Sequence, residues 1–133
     1  MPHSFPVRVY YEDTDAAGIV YYANYLRFIE RARTEWVRAL GVDQVQLRAE
    51  EGVVFAVRRI EADYLRPARL DDELTVETQL VAATGARIVL DQAVLRAGER
   101  LFHAQVTLVC MSDHGTAVRL PAEVRRRIAP NLH

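Results

Sequence analysis

Lysine is absent from this chain: all seventeen of its basic residues are arginine. Against eighteen acidic residues they leave a formal net charge of -1, so no field across the whole molecule would gather nucleic acid or an anionic membrane. Any polyanion must be met locally. Cysteine occurs once, at Cys110, which excludes an intramolecular disulfide and a cysteine-rich metal site. Long apolar runs are missing as well. Met1 to Asp13 holds no stretch long enough for a signal-peptide core, and nowhere does the chain approach the roughly 18 apolar residues of a membrane span. These absences point to a cytoplasmic protein with no nucleic-acid partner and no membrane insertion. Histidine is sparse, at His3, His103, His114 and His133, and two of these sit near the termini, where chains usually fray.

What is present fits one domain over residues 1–133, half of whose side chains are apolar. Val7, Val9 and Tyr11 alternate with Arg8 and Tyr10, the period of two of a half-buried strand. From about Asn24 to Leu40 the spacing changes to three and four, through Leu26, Ile29, Trp36, Val37 and Leu40, with an interruption at Arg33. This predicts a helix with Asn24 as N-cap, Gly41 in a left-handed C-terminal position and an outward Arg31–Glu35 pair. Phe28, Ile29 and Trp36 read as core. After a polar stretch from Asp43 to Glu51 come four strand-like runs, which read as a meander.

In the first of these runs apolar side chains occupy odd positions at Val53, Phe55 and Val57, then even positions at Ile60, Ala62 and Tyr64. The phase flips at Arg58 and Arg59, which predicts a β-bulge. Two further strands follow, separated by turns at Gly85 and Gly98. The last carries Phe102, Ala104, Val106, Leu108 and Cys110 on one face and His103, Gln105 and Thr107 on the other. A turn at Asp113 to Gly115 and a short basic segment, Ala122 to Ile128, end the chain. The natural solution is α+β: one antiparallel sheet wrapped around one buried helix.

Glu12, Asp13, Thr14 and Asp15 form a dense polar cluster just ahead of small residues, Ala16, Ala17 and Gly18, where a backbone can approach a ligand closely. The long helix follows. Its first N–H groups are unpaired and carry the positive end of the helix dipole, so they can hold an anion or a developing oxyanion. A carboxylate nearby could attack or activate water. Two other readings stay open: an acidic turn in which Asp13 or Asp15 bonds its own backbone, and an Asp-x-Asp metal site.

Chemistry elsewhere has less support. Cys110 and His103 are seven residues apart on one strand and point to opposite faces, which argues against a dyad. Cys110 reads as a small buried hydrophobe. Ser4 and Ser112 lack the context of a hydrolytic serine. Arg58, Arg59, Arg66, Arg69 and Arg87 fall at strand ends or the expected bulge, either as solvated edges or, together, as a phosphate-binding group.

The run Val7-Arg-Val-Tyr-Tyr-Glu-Asp-Thr-Asp-Ala-Ala-Gly-Ile-Val-Tyr-Tyr-Ala-Asn-Tyr25, followed by Glu30-Arg-Ala-Arg-Thr-Glu35, resembles hotdog-fold acyl-CoA thioesterases of the 4-hydroxybenzoyl-CoA type, and among them the Tol-Pal-associated branch. Phe55-Ala-Val-Arg58 and Pro67-Ala-Arg-Leu-Asp-Asp72 extend the likeness. The resemblance implies a hotdog fold, a five-stranded antiparallel sheet around one long central helix. It further implies that Asp15 is the catalytic carboxylate, either nucleophile or general base, and that the backbone N–H of Tyr22 polarises the thioester carbonyl. Tyr11 would border the site and Gly18 would let the substrate approach. CoA phosphates would meet Arg58, Arg59 and Arg87, with no metal and no cofactor beyond the CoA of the substrate.

Subunits of this family join their sheets and build each site at the interface, so a homo-oligomer, dimer or tetramer, is implied. An acyl-carrier protein is a further candidate partner. Many members of the Tol-Pal branch carry histidine where this chain has Tyr22, whereas the hydroxybenzoyl type carries tyrosine; a backbone donor survives that exchange. Two competing functions fit the same fold: a hotdog hydratase or dehydratase, which would need a histidine beside its carboxylate, and a non-catalytic module that binds acyl-CoA or acyl-carrier protein.

Overall fold

Apolar side chains recurring every third or fourth residue bury one face of helix α1 (Asn24–Ala39): Tyr25, Phe28, Ile29, Ala32, Trp36 and Val37 all turn inward. In this computed structural model, which describes residues 2–131, that face lies on a five-stranded antiparallel sheet. The strands are β1 (His3–Arg8), β2 (Val53–Tyr64), β3 (Glu73–Thr84), β4 (Arg87–Arg96) and β5 (Glu99–Ser112). Their spatial order is β1-β3-β4-β5-β2. The core is continuous between α1 and the inward residues of the sheet, among them Val76, Leu90, Val94, Phe102, Ala104 and Val106. Burying each large side chain of this kind contributes about 1.5–3 kcal/mol.

The four later strands are not a simple meander. β3, β4 and β5 follow one another, but β2 crosses to the far side and pairs with β5, from Val53 opposite Ser112 to Tyr64 opposite Phe102. Its partner lies late in the chain, so adjacency in sequence misled. The expected bulge is present, with the β2–β5 register shifting between Val57 and Arg59.

The first strand ends at Arg8 and not at Tyr11, which instead opens a 3-10 turn (Tyr11–Asp13). Val9 continues in extended form, hydrogen-bonded through its N–H to Asp72 O at 3.0 Å and through its carbonyl to Asp71 N–H at 2.9 Å.

Helix α1 shows three departures of detail. Asn24 is not a cap: Ala23 precedes the first turn without a side-chain bond, and the Asn24 carboxamide reaches sideways to Asp13. Glu35 pairs with Arg38, while Arg31 lies over the Phe28 ring at 5.9 Å. The interruption at Arg33 is a buried polar contact with the Gln92 side chain at 3.0 Å. Gly41 has φ +86, the left-handed closure that its place after the helix predicts.

Helix α1 is the long helix against the sheet, but two short helices accompany it. The polar stretch after it is α2 (Gln44–Glu51), begun by the Asp43 side chain accepting from the Gln46 N–H at 3.0 Å. The basic tail forms α3 (Ala122–Ile128), which buries Val124 and Ile128. Cys110 is buried and His103 faces outward, 3.7 Å from Asp91, as strand parity requires. His133 lies outside the described residues. Among those described, no helix is long and apolar enough to cross a membrane.

Candidate active site

The segment between β1 and α1 folds back on itself. Thr14 and Val20 form an isolated antiparallel bridge. The Tyr21 N–H donates to Asp13 O and the Asp15 N–H to Ile19 O, both at 2.9 Å. The turn at its tip runs Asp15-Ala16-Ala17-Gly18, closed by the Gly18 N–H on Asp15 O at 3.0 Å. Gly18 has φ +78, a conformation that a side chain rarely adopts and that suits a three-residue hairpin loop. A Cβ there would meet nothing within 4 Å, so backbone geometry and not crowding requires the glycine.

The two aspartates of this segment have different fates. Asp13 is 5% exposed. Its Oδ2 accepts the Tyr10 N–H at 2.8 Å and its Oδ1 the Asn24 side-chain N–H at 2.9 Å. Both oxygens are thus engaged by N–H donors, the opposite of what a cation ligand needs. Among the described residues no group of three or more His, Cys, Asp or Glu is arranged to hold a metal. Asp15 is exposed, with Oδ1 accepting the Ala17 N–H at 2.9 Å. That is the Asx turn anticipated for an acidic loop, and it leaves Oδ2 without a protein partner among the described residues.

Tyr22 follows Tyr21 and precedes the helix. Its carbonyl accepts the Tyr64 hydroxyl at 2.9 Å. Its own N–H has no acceptor among the described residues, although the neighbouring Tyr21 and Asn24 N–H groups are both paired within the loop. The Asp15 carboxylate makes no hydrogen bond to it. Behind this point an aromatic set fixes the end of the sheet: Tyr25 stacks on Phe102 at 5.1 Å, and Tyr64 meets the edges of Tyr25 and Phe102 at 5.5 and 5.0 Å. The Tyr25 hydroxyl accepts the Ala68 N–H at 3.0 Å. Burial, then the nearby Tyr22 and Tyr25 hydroxyls, pushes the Tyr64 phenol above its ordinary range, so it stays protonated and able to donate.

The arginines singled out in the sequence are not brought to this spot within one chain. Tyr11 is 83% exposed at the start of the 3-10 turn. Arg59 and Arg87 lie in register with Thr107 and Val109, on the outer face of the sheet, and Arg59 is ion-paired to Glu61 at 2.5 Å. Arg58 is exposed at the bulge. Counting strand residues back from Tyr64 and Phe102, these three stand roughly 15–25 Å from the Tyr22 end of the sheet. Arg66 is paired with Glu99 at 3.4 Å.

In the single chain the Asp15 and Tyr22 region is an open shelf. A cavity of about 620 Å³ lies elsewhere, between the end of α1 and the start of α2, where Thr34, Arg38, Val42 and Val45 line it. Sequence reasoning placed Asp13 in the polar cluster but did not single out Asn24 or Tyr64 as neighbours of this loop. The polar Asn at the head of an apolar helix face, read as a cap, was the available signal for Asn24.

Comparison with known proteins gives a consistent picture. Residues 9–128 match the model of a thioesterase-like superfamily. An acyl-CoA thioesterase YbgC of Haemophilus influenzae is 47% identical over 124 residues, 92% of this chain and 90% of that protein. An acyl-CoA thioester hydrolase YbgC of Escherichia coli is 46% identical over 108 residues, covering 80% of each. Among solved structures, a probable thioesterase from Bartonella henselae superposes with a TM-score of 0.87 at 38% identity, covering 91% of this chain and all of that one. A 4-hydroxybenzoyl CoA thioesterase variant complexed with 4-hydroxybenzoyl CoA does so with a TM-score of 0.89 at 25% identity, covering 95% and 97%.

Proposed function

The chain belongs to the thioesterase-like superfamily and has the hotdog fold, and from that premise we propose that it hydrolyses acyl-CoA thioesters to the free acid and CoA, with Asp15 and the backbone N–H of Tyr22 as its working groups. The observation that carries the reading is the Tyr22 N–H: a donor without an acceptor among the described residues, between the paired N–H groups of Tyr21 and Asn24 and beside a loop that presents an exposed carboxylate. A thioester carbonyl set against that N–H has its oxygen polarised, and the negative charge of the tetrahedral intermediate develops at the donor.

Asp15 then acts in one of two ways. As general base it takes a proton from water while the water oxygen bonds to the carbonyl carbon. As nucleophile it bonds to that carbon itself, expelling CoA thiolate and forming a mixed anhydride that water opens. Either route consumes one water and releases one acid and one thiol. Neither calls on a metal or a cofactor.

The single chain offers a shelf, and we propose that a second copy completes it. Among the described residues no strand lies on the outer side of β2, and Val57 and Tyr64 on it, with Leu65 just past its end, are large apolar residues left exposed. An antiparallel β2 to β2 contact about a twofold axis runs the start of one strand toward the Tyr64 end of the other. Arg58, Arg59 and Arg87, too distant from Asp15 in their own chain, would thereby approach the site of the second copy and could meet CoA phosphates. Tyr11 and Gly18 belong to the same reading as residues bordering the substrate. Pairing of such dimers into a tetramer, a cytoplasmic location, an acyl-carrier protein as alternative acyl donor and service to the Tol-Pal envelope machinery complete the proposal.

The test is an assay of thiol release from a panel of short-, medium-, long-chain and aromatic acyl-CoAs, with the wild type and Asp15→Asn. The expected result is turnover of at least one substrate and a loss of about 10²–10⁴-fold in the folded variant. Equal rates would remove Asp15 from the chemistry. Hydration of enoyl-CoA without thiol release would indicate a hydratase, and saturable binding without hydrolysis a binding module.

A further inference from the structure

We propose that Asp13 and Asn24 form a positioning pair that sets the Asp15 loop and the Tyr22 N–H in their working relation; the proposal rests on the thioesterase reading above and adds the residues that hold its two working groups in place. Asp13 and Asn24 are 5% and 8% exposed, and each is polar where the surrounding buried positions are mostly apolar. Through Asp13 three segments are joined. Its carboxylate accepts from the Tyr10 backbone at the end of the first extended segment and from the Asn24 side chain in the first turn of α1, and its carbonyl accepts from Tyr21.

Asp15 is two residues further along the same short hairpin, anchored by its own N–H on Ile19 O at 2.9 Å. On the other side, the Asn24 N–H donates to Tyr21 O at 2.8 Å and the Tyr64 hydroxyl to Tyr22 O at 2.9 Å. Tyr22 is therefore held through its carbonyl and through both flanks, and the one polar backbone group left free is the N–H proposed to meet the substrate. The 13–24 bond ties the hairpin that carries Asp15 directly to the first residue of the helix, two positions past that N–H. Without it, hairpin and helix remain folded but are free to shift against each other, and a displacement of about 1 Å can cost about a hundredfold in rate.

The donor and acceptor pattern provides a test that separates positioning from simple support. Both partners of the Asp13 carboxylate are N–H donors, so Asp13→Asn can satisfy only one of them and turns an NH₂ group toward the other. Asn24→Asp sets two carboxylates face to face. The double substitution Asp13→Asn with Asn24→Asp restores both bonds, the 13–24 bond with its direction reversed: the amide oxygen at position 13 still takes the Tyr10 N–H, and its NH₂ donates to the new carboxylate, which the beginning of a helix tolerates well.

Steady-state kinetics on the best acyl-CoA of the panel, with thermal melts of every variant, decide the matter. We expect Asp13→Asn to lower kcat by about tenfold to a hundredfold with KM changed less than about threefold, and the double substitution to restore kcat to within about threefold of wild type. If Asp13→Asn does not fold, Asn24→Ala, which removes the 13–24 bond alone, is expected to lower kcat by about three- to tenfold at unchanged KM. The proposal is overturned if a folded Asp13→Asn or Asn24→Ala keeps wild-type kcat, or if the double substitution recovers the melting temperature but not kcat. Failure of the wild type to hydrolyse any thioester would instead overturn the functional reading itself, and this one with it.

Discussion

The guanidinium of Arg33 donates to the side-chain oxygen of Gln92 at 3.0 Å in the contact between α1 and the sheet. The Gln92 NH₂ in turn donates to Ile29 O and to Thr78 Oγ1, both at 2.9 Å. Arg33 is 8% exposed and Gln92 and Thr78 are fully buried. Burial pulls the Arg33 guanidinium below its ordinary range, against a smaller opposing pull from Glu30. Gln92→Leu would leave the arginine and the threonine without this partner, and should destabilise the fold by about 2–4 kcal/mol. Replacing the group together, as Arg33→Met, Gln92→Leu and Thr78→Val, should recover most of that loss. Urea melts of the single and triple variants check it; additive losses in the triple variant would contradict the account.

Tyr22 separates backbone from side-chain chemistry. Tyr22→Phe and Tyr22→His keep the N–H and should retain activity within about tenfold, whereas Tyr22→Pro removes it and should cost about 10²–10³-fold in kcat. Rates measured alongside circular dichroism distinguish lost chemistry from lost fold. A proline variant as active as wild type would exclude the backbone donor.

Asp72 ties the loop after β2 to the sheet. Although its partial burial raises the carboxyl pKa, the Arg69 N–H and the Arg96 guanidinium, each at 2.8 Å, outweigh it and hold the group below the ordinary value near 3.8. In acid the unfolded chain therefore binds the proton first. The stability this group contributes is complete above the ordinary value and is lost as pH falls through the lower, folded one. Asp72→Asn should lower the melting temperature at pH 6, and the gap to wild type should narrow below about pH 4. A gap independent of pH would show that the charge is not involved.

The β4–β5 turn contains an avoidable strain. Ala97 has φ +50 and Gly98 φ +82, between Arg96 and Glu99, which are paired across the hairpin. Positive φ at both central positions is the pattern for which Asn-Gly is preferred and alanine is not. Ala97→Asn should therefore stabilise the protein by about 1 kcal/mol, seen as a rise of about 3 °C in melting temperature with activity unchanged.

The shared-site reading predicts that the sheet edge governs activity. Val57 is 46% exposed on β2, and Val57→Glu should shift the sedimentation coefficient to that of a monomer and reduce turnover by about a hundredfold or more. A fully active monomer would sever the link between assembly and catalysis.

Much of the architecture was legible because burial leaves a period. Val76 and Leu80, like Phe102 to Cys110 on β5, alternate, and Ile29, Trp36 and Val37 recur at helical spacing, although Leu26, counted with them, is exposed and Tyr25 is buried in its place; even the bulge at Arg58 showed as a change of parity. Helix α2 left no such trace, since Leu47 is the one residue it buries, and its start depends on a cap at Asp43 instead of an apolar stripe. The far-edge position of β2 is set by pairing with residues about fifty positions later, information that no local window contains. The candidate site divides the same way. Asp13 and Asp15 are identical in type and two residues apart, so only tertiary contact tells the buried clamp from the exposed carboxylate.

The crossing of β2 also fixes the order in which the protein can be finished. As the chain leaves the ribosome, β2 emerges long before β5, its neighbour in the sheet, and so must wait while β3 and β4 are made. Tyr64, which braces the carbonyl of Tyr22, sits at the end of that waiting strand. The shelf between Asp15 and Tyr22 is accordingly among the last parts to become rigid during synthesis, and a product truncated before β5 would retain Asp15 yet lack the support for the Tyr22 backbone.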